Sequence, residues 1–468
     1  MIRAWWRPRG AALVLVFLVT LPAVSPRPHS ADEIEYFSFL RSLWFDRDLS
    51  FDNEYRYFYD HGFTTDPGFK TTFIDAETAT RRRPTFATIG CALLWAPFYA
   101  VADVGVRTAR LAGTSVPADG FSWPYLTATA YGSAIYGALA LVISAAVARR
   151  LTGVGTTAAL VVLAGTPLVF YMYVMPLMAH ACSAFVVAAF VWTWLRVRET
   201  WSVAGVAALA AVGALMTMVR EQDAFIVVVP AVDYVWTLVA SPLPVAQGIR
   251  SAAGRLAVAA GAFALSFLPQ AIAYITLHGR IGPSPVVSNK MHWTAPWAAA
   301  VLFSPEHGWF FWTPLAALAL AGLVTMAIST SRSMPRTSRI GVLLLLAVAT
   351  QVYVSGSVAT WTLAGAFGQR RFLGVTVCVT VGVAWLVARF AGRASRWVLF
   401  ASMAVAVWWN LGLAVQFGEH SMDRQRLELR RNGYATFVQL PVRLPRIVYR
   451  YLFDRSSFYQ SHPVVPAK

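Results

Sequence analysis

Two adjacent carboxylates, Asp32 and Glu33, open the most acidic stretch of the chain, HSADEIEYFSFLRSLWFDRDLSFDNEY, residues 29–55. They follow the first apolar run by a few residues, at the height where a membrane-anchored substrate presents its headgroup. Carboxylates so placed suit general-base work. One takes the proton from an attacking hydroxyl while the other orients the acceptor, which is worth on the order of 10²–10⁴ in rate. A structural reading stands beside this one. Ser30 and Glu33 have capping-box spacing, and Ile34, Phe37, Leu40, Leu43 and Trp44 recur at helical spacing. Acids in a first helical turn also suit the helix dipole. For Glu35, Asp46, Asp48, Asp52 and Glu54 that second reading is the stronger, and it expects them in water on a membrane-surface helix and its loop.

The elements that must hold these residues follow from the distribution of charge. Only 13% of the 468 residues are charged and 57% are hydrophobic, whereas a soluble domain carries about 25% charged residues. Segments 120–148, 151–195, 256–277 and 341–369 hold no formal charge, and roughly 20 apolar residues suffice for a membrane-spanning helix. The expectation is an all-α polytopic membrane protein with about 11 transmembrane helices. They fall near 10–26, 123–147, 156–175, 179–195, 201–219, 224–240, 256–277, 308–328, 340–358, 372–388 and 397–417. The intervening short segments on one side hold 15 Arg against the single acid Glu199. This is the pattern of cytoplasmic loops.

Segment 27–122 then forms a large first outer loop bearing interfacial helices. Within it, 88–106 is read as interfacial or re-entrant, because counting it as a span would place the later Arg clusters outside. The first apolar run is read as an uncleaved helix anchored by Trp5 and Trp6, with a cleaved signal peptide as the alternative. Residues 1–417 make one membrane domain, and 418–468 a basic tail expected on the outside. The net charge of +17 is distributed as topological clusters with no basic–aromatic stripe, which argues against nucleic acid. Cys91, Cys182 and Cys378 form no disulfide or metal spacing and read as core residues.

SADEIEYFSFLRSLWFDRDL resembles the first outer loop of the GT-C glycosyltransferases, specifically the bacterial relatives of protein O-mannosyltransferases and of the lipid A aminoarabinose transferase. RRRPTFATIGCALLWAPFY is similar to their basic–Pro–Gly segment leading an interfacial helix. LFSPEHGWFFWTPL and WTLAGAFGQRRFLG look like late-chain motifs of the group. The resemblance implies Asp32 as catalytic base, with Glu33 as its helper. It implies a polyprenyl-phosphate sugar as donor, a glycan, lipid or protein acceptor, and inversion at the anomeric carbon. Many relatives carry a second acid where this chain places His180, to which an acceptor-orienting role would pass. By the same resemblance the enzyme would sit in the bacterial inner (plasma) membrane, its active site facing the periplasm or exterior.

A departing polyprenyl phosphate gathers negative charge, for which Arg is the apt partner. Arg370 and Arg371 stand at an outer boundary against the prevailing charge rule, with a snorkelling pair as the alternative reading. Arg220 is a weaker candidate, since Glu221 and Asp223 beside it could form a local ion-pair network. Arg83 stands for the cluster 81–83, for which headgroup attraction is the plain explanation. Lys290 and His292 lie on a loop flanked by Trp293 and Trp297, an ordinary aromatic belt. Asp233 is expected to have a structural, hydrogen-bonded role. No metal spacing, P-loop or dinucleotide fingerprint is present; no cofactor is expected, the lipid-linked donor being a substrate, and the sequence leaves a metal requirement open. A transporter or lipid flippase is the alternative class, disfavoured by the lack of internal repeats and of mid-membrane charge. A glycan polymerase or ligase would concentrate its Arg and His in a large late outer loop.

Overall fold

A computed structural model describes residues 8–458 except 29, 65, 242–243, 330–334, 364, 391 and 393. Among these residues the chain is all-helical, apart from one isolated antiparallel bridge between Met291 and Val358. The principal helices are α1 (Pro8–Thr20), α2 (Ala31–Arg41), α3 (Asp52–Asp60), α4 (Gly90–Leu111), α5 (Trp123–Thr152), α6 (Thr156–Gly165) and α7 (His180–Val197). They continue with α8 (Val203–Val219), α9 (Val228–Val239), α10 (Val245–His278), α11 (Pro314–Ala327), α12 (Pro335–Gly356), α13 (Thr376–Phe390), α14 (Arg396–Gly418) and α15 (Leu440–Phe453).

Among the described residues, seven helices are long and apolar enough to cross a membrane: Trp123–Thr152, His180–Val197, Glu221–Val239, Ala246–His278, Thr337–Gly356, Arg370–Phe390 and Arg396–Gly418. The other four expected spans appear as apolar helices of 10–17 residues: Gly10–Ala23, Thr156–Gly165, Val203–Val219 and Pro314–Ala327. Breaks shorten them where the sequence carries turn signals. The third expected span stops at Gly165 before Pro167, and the eighth begins only at Pro314. α4 covers the ambiguous segment 88–106 and is absent from the seven.

The helices pack around α5, α7 and α13. Ridges approach most closely at Gly322 of α11 and Gly382 of α13. A Cβ on Gly322 would lie 2.0 Å from the Gly382 carbonyl oxygen, so that contact requires the absence of a side chain. The Arg-rich ends of the helices are cross-tied. Buried Asp233 accepts from Trp194 Nε1 at 3.0 Å and forms ion pairs with Arg198 and Arg339, each at 2.7 Å. Arg150 pairs with Glu199, and Arg255 donates to the Trp201 carbonyl.

α2, α3 and α4 form a cap at the other end. α2 starts at Ser30, extended in backbone, whose Oγ receives the Glu33 amide at 3.5 Å and whose hydroxyl faces Glu33 Oε2 at 3.4 Å. α2 was expected to lie on the surface in water; it is instead packed on most sides. Ile34, Phe37, Phe39 and Leu40 are buried, and Phe37 makes edge contacts with Phe58 and Tyr99. Glu35 and Glu54 correct the sequence expectation as well, because both carboxyls are buried. Glu54 pairs with Arg41 at 3.0 Å, and Glu35 receives the Thr85 hydroxyl at 3.0 Å and the Phe86 amide. Asp103 then joins three elements, accepting from Tyr125 at 2.7 Å, Trp44 at 3.2 Å and Arg107 at 3.0 Å.

Candidate active site

Because α2 is capped at Ser30, the first helical turn points its two acids apart. Glu33 turns inward and is fully buried beside its capping serine. Asp32 stays accessible, its side chain 45% exposed, and its Oδ2 lies 2.9 Å from Arg370 Nη2. Nothing in the sequence separates these neighbours. The fold does so by helix phase, and Asp32 is the member that can reach a substrate.

Arg370 opens a 3-10 turn, Arg370–Val375, that leads into α13. The loop before it is pinned by Tyr171, whose hydroxyl accepts from the Phe367 amide and donates to the Phe367 carbonyl, both at 3.1 Å. Gln369 adds bonds to the carbonyls of His307 and Trp361 at 3.1 and 3.2 Å. Gly368 has φ +61, and a Cβ there would come within 2.7 Å of the Pro167 ring. Glycine is thus required for both backbone sign and space. These fixed contacts of the loop hold Arg370 against Asp32.

Arg371 reaches Thr360, donating to its carbonyl at 3.0 Å and its hydroxyl at 3.2 Å. Its own carbonyl receives the amides of Gln222 at 3.0 Å and Gln351 at 2.9 Å. Gln222 in turn accepts from Arg220 Nη2 at 2.9 Å, and Arg220 Nη1 lies 3.1 Å from His180 Nδ1. A guanidinium only donates, so Nδ1 is the acceptor and the imidazole keeps its proton on Nε2. The ring stacks edge-on against Tyr171 at 4.5 Å. Arg220, Arg370 and Arg371 all lie within electrostatic reach of His180.

The structure therefore brings together Asp32, His180, Arg220, Arg370 and Arg371, from four separate elements. It places Arg83 apart from them. Arg83 is held by Asp52 at 2.7 Å, by the Ala76 carbonyl at 3.2 Å and by Glu77 at 3.8 Å, tying α3 to the following loop. The expected local network at 220–223 is also different. Arg220 bonds His180 and Gln222, whereas Glu221 accepts from Tyr274 and buried Asp223 accepts from Ser183 Oγ at 2.6 Å. Tyr171 and Thr360 stand in charge-free segments that carry no local sign of a site, whereas Gln222 lies beside Arg220 in sequence. The available signal was the polar run REQD interrupting two apolar helices.

Just behind Asp32 lies Glu35. Burial, and secondly the Asp32 charge, push its carboxyl up to about 8 against the opposing bonds from Phe86 and Thr85. At neutral pH it is chiefly an uncharged pin between α2 and residues 85–87, and it leaves Asp32 as the accessible negative charge facing Arg370. A cavity of about 1050 Å³ lies elsewhere, between α8, α9 and α10 around Gly213, Tyr234 and Phe263. Its lining is mostly apolar, takes in Arg255 and Ser241, and includes none of the five gathered residues. Among the described residues, no group of three His, Cys, Asp or Glu converges as a metal site. Compared with models of protein families and with curated proteins, the chain matches none.

Proposed function

We propose that the protein is an inverting membrane glycosyltransferase that moves a sugar from a polyprenyl-phosphate donor to an acceptor hydroxyl, with Asp32 as general base. The observation that carries this reading is the 2.9 Å contact between an accessible carboxylate and Arg370, with two further guanidiniums gathered around His180. A carboxylate beside clustered cations has the two parts the reaction needs: a proton acceptor and a binding place for a leaving phosphate. In this proposal all eleven apolar helices cross a bacterial plasma membrane. The Asp32 end faces the periplasm or exterior, a placement supported by the 15 Arg of the opposite segments.

The donor phosphate competes with Asp32 for Arg370 and takes it, with Arg371 and Arg220 supplying further charge. Asp32, released from its ion pair, accepts the proton of the acceptor hydroxyl. The resulting oxygen nucleophile forms a bond to the anomeric carbon from the face opposite the phosphate. The carbon–oxygen bond to phosphate breaks, its electron pair leaves with polyprenyl phosphate, and the configuration inverts. Glu33 acts as a positioning residue, through the turn that aims Asp32. His180 positions Arg220. The coupling has a purpose: Asp32 becomes a free base only when donor has drawn Arg370 away.

The arginine cluster would equally suit a flippase that grips a lipid phosphate, so a second reading rests on the same side chains. Purified protein in detergent, with no bilayer across which to move lipid, separates them. Polyprenyl-phosphate sugars and candidate acceptors are incubated with it and the products are read by mass spectrometry. Release of polyprenyl phosphate with glycosylated acceptor supports transfer. Donor recovered intact with every sugar and acceptor tried, together with lipid movement in vesicles, supports the flippase.

A further inference from the structure

The segment after α14 folds back onto the bundle. Asn432 and Thr436 bond Gln416 of α14 at 3.0 and 2.9 Å, and the Thr436 carbonyl accepts from Trp408 Nε1 at 3.0 Å. α15 follows, tied at both ends. Near its start Arg443 pairs with Glu419, just past the end of α14, at 2.9 Å. In its last turn Tyr451 donates to the Ala23 carbonyl at 2.8 Å, and just beyond its far end Arg455 donates to the Val24 carbonyl at 2.8 Å. Those carbonyls lie just past α1. α14 and α1 end at the same face of the bundle, so α15 runs along that face, not through it. Ser25 bonds the Tyr173 carbonyl at 2.7 Å, which puts this rim on the Asp32 side.

At 100° per residue, α15 divides into three stripes. Leu440 and Ile447 are buried, on the stripe that meets the protein. Arg443, Arg446 and Arg450 share a second stripe. The third holds Val438 just before the helix, then Val442, Val448, Tyr449, Leu452 and Phe453, all exposed, Val442 at 83% and Phe453 at 74%. Water is a poor environment for such a face, and its arginine border tells what should cover it. An apolar face that dips among acyl chains, with guanidiniums beside it at headgroup level, is the arrangement of a helix lying in a membrane interface. Arg pairs with phosphate.

We propose that α15 is an interfacial helix that docks on the phosphate headgroups of anionic phospholipids, in the leaflet on the Asp32 side. The inference does not depend on glycosyl transfer. The lipid holds α15 down and thereby fixes the ends of α1 and α14, which the helix bridges.

The test is hydrogen exchange of residues 440–453 in the full chain, reconstituted in nanodiscs of phosphatidylcholine alone or with phosphatidylglycerol. Anionic lipid should slow exchange of this segment, by up to about fivefold for each arginine engaged. Exchange at the start of α14, away from the end that α15 ties, should not change. Arg446→Gln should remove part of the difference, and Arg443→Gln with Arg446→Gln most of it. Val442→Ser with Phe453→Ser should speed exchange in both lipids. Equal exchange in the two lipids would overturn the proposal. So would a lipid effect that survives the arginine substitutions, or protection that inorganic phosphate reproduces in phosphatidylcholine discs. Protection confined to discs holding two copies of the chain would assign the face to self-association and likewise defeat it.

Discussion

At the scale of single residues, Asp32 and Glu33 leave one helical turn for opposite environments, and the roles proposed for them rest on that difference. Asp32→Asn should cut transfer by about 10²–10⁴ while leaving folding intact, since its side chain is half exposed. Glu33→Gln should lower stability more than turnover, because its buried carboxyl serves the cap; a reversed ranking of the two variants would transfer the base role to Glu33. Arg370→Ala should raise the KM for donor more than for acceptor. Glu35 allows a test without substrate. Its carboxyl is raised from the ordinary 4.5 to about 8, so the folded state binds more protons than the unfolded state between those values. Stability is then full below the lower value and is lost as pH rises through the upper one. Thermal midpoints should fall across that window and Glu35→Gln should flatten the slope; an unchanged slope would mean that Glu35 is ionised when folded. None of this was visible in the sequence, where Glu35 reads as one acid among many. Its partners Thr85 and Phe86 are some fifty positions away, and burial is a property of the assembled cap.

At the scale of elements, much of α2 was legible. Ser30 and Glu33 announced its start, and Ile34, Phe37 and Leu40 its inward face. Its depth was not legible, because Phe39, on the side away from that stripe, is also buried against the Phe51 ring, and the stripe itself carries the charged Glu33 inward. Replacing Ser30 by Ala should cost about 1 kcal/mol, measurable as a lower denaturation midpoint, and should reduce turnover by misaiming Asp32. No change in either would detach the cap from the site. Helix breaks were harder to read than helices. Hydropathy reports apolar content without reporting continuity, so the expected spans at 156–175 and 308–328 are each realised as shorter pieces. The break at Arg220 shows what such interruptions do, since there an extended residue directs a guanidinium toward His180. Gly322 and Gly382 show the limit of pattern reading from the other side. The two backbones pass so closely that a methyl group on either glycine would meet a carbonyl oxygen at 2.0 Å. That need for glycine arises only where α11 and α13 cross, and no local pattern announces the crossing.

At the scale of the whole molecule, the sequence carried the architecture through charge. Stretches empty of charge lie within the long helices Trp123–Thr152, His180–Val197, Ala246–His278 and Thr337–Gly356, while other charge-free parts form shorter pieces and turns. Among the described residues Arg150, Arg198, Arg255 and Arg339 gather at the end cross-tied by Asp233. The site is less legible because its parts come from residues 32, 180, 220 and 370–371, which no local pattern connects. Arg83 illustrates the same point, since it resembles the other cations in type but spends its charge on Asp52. The proposed membrane sidedness rests on this distribution of charge. Single cysteines introduced at Asp75 and at Glu199 should be labelled by an impermeant reagent from outside and from inside respectively, and the opposite result would reverse the orientation of the site. The central claim is that Asp32 becomes a base when donor phosphate takes Arg370. The most direct measurement is a single-turnover assay of purified wild-type and Asp32→Asn protein with polyprenyl-phosphate sugar and a hydroxyl acceptor. The account predicts released polyprenyl phosphate with wild type and retained donor binding without release in Asp32→Asn. Release by the variant at the wild-type rate would contradict it.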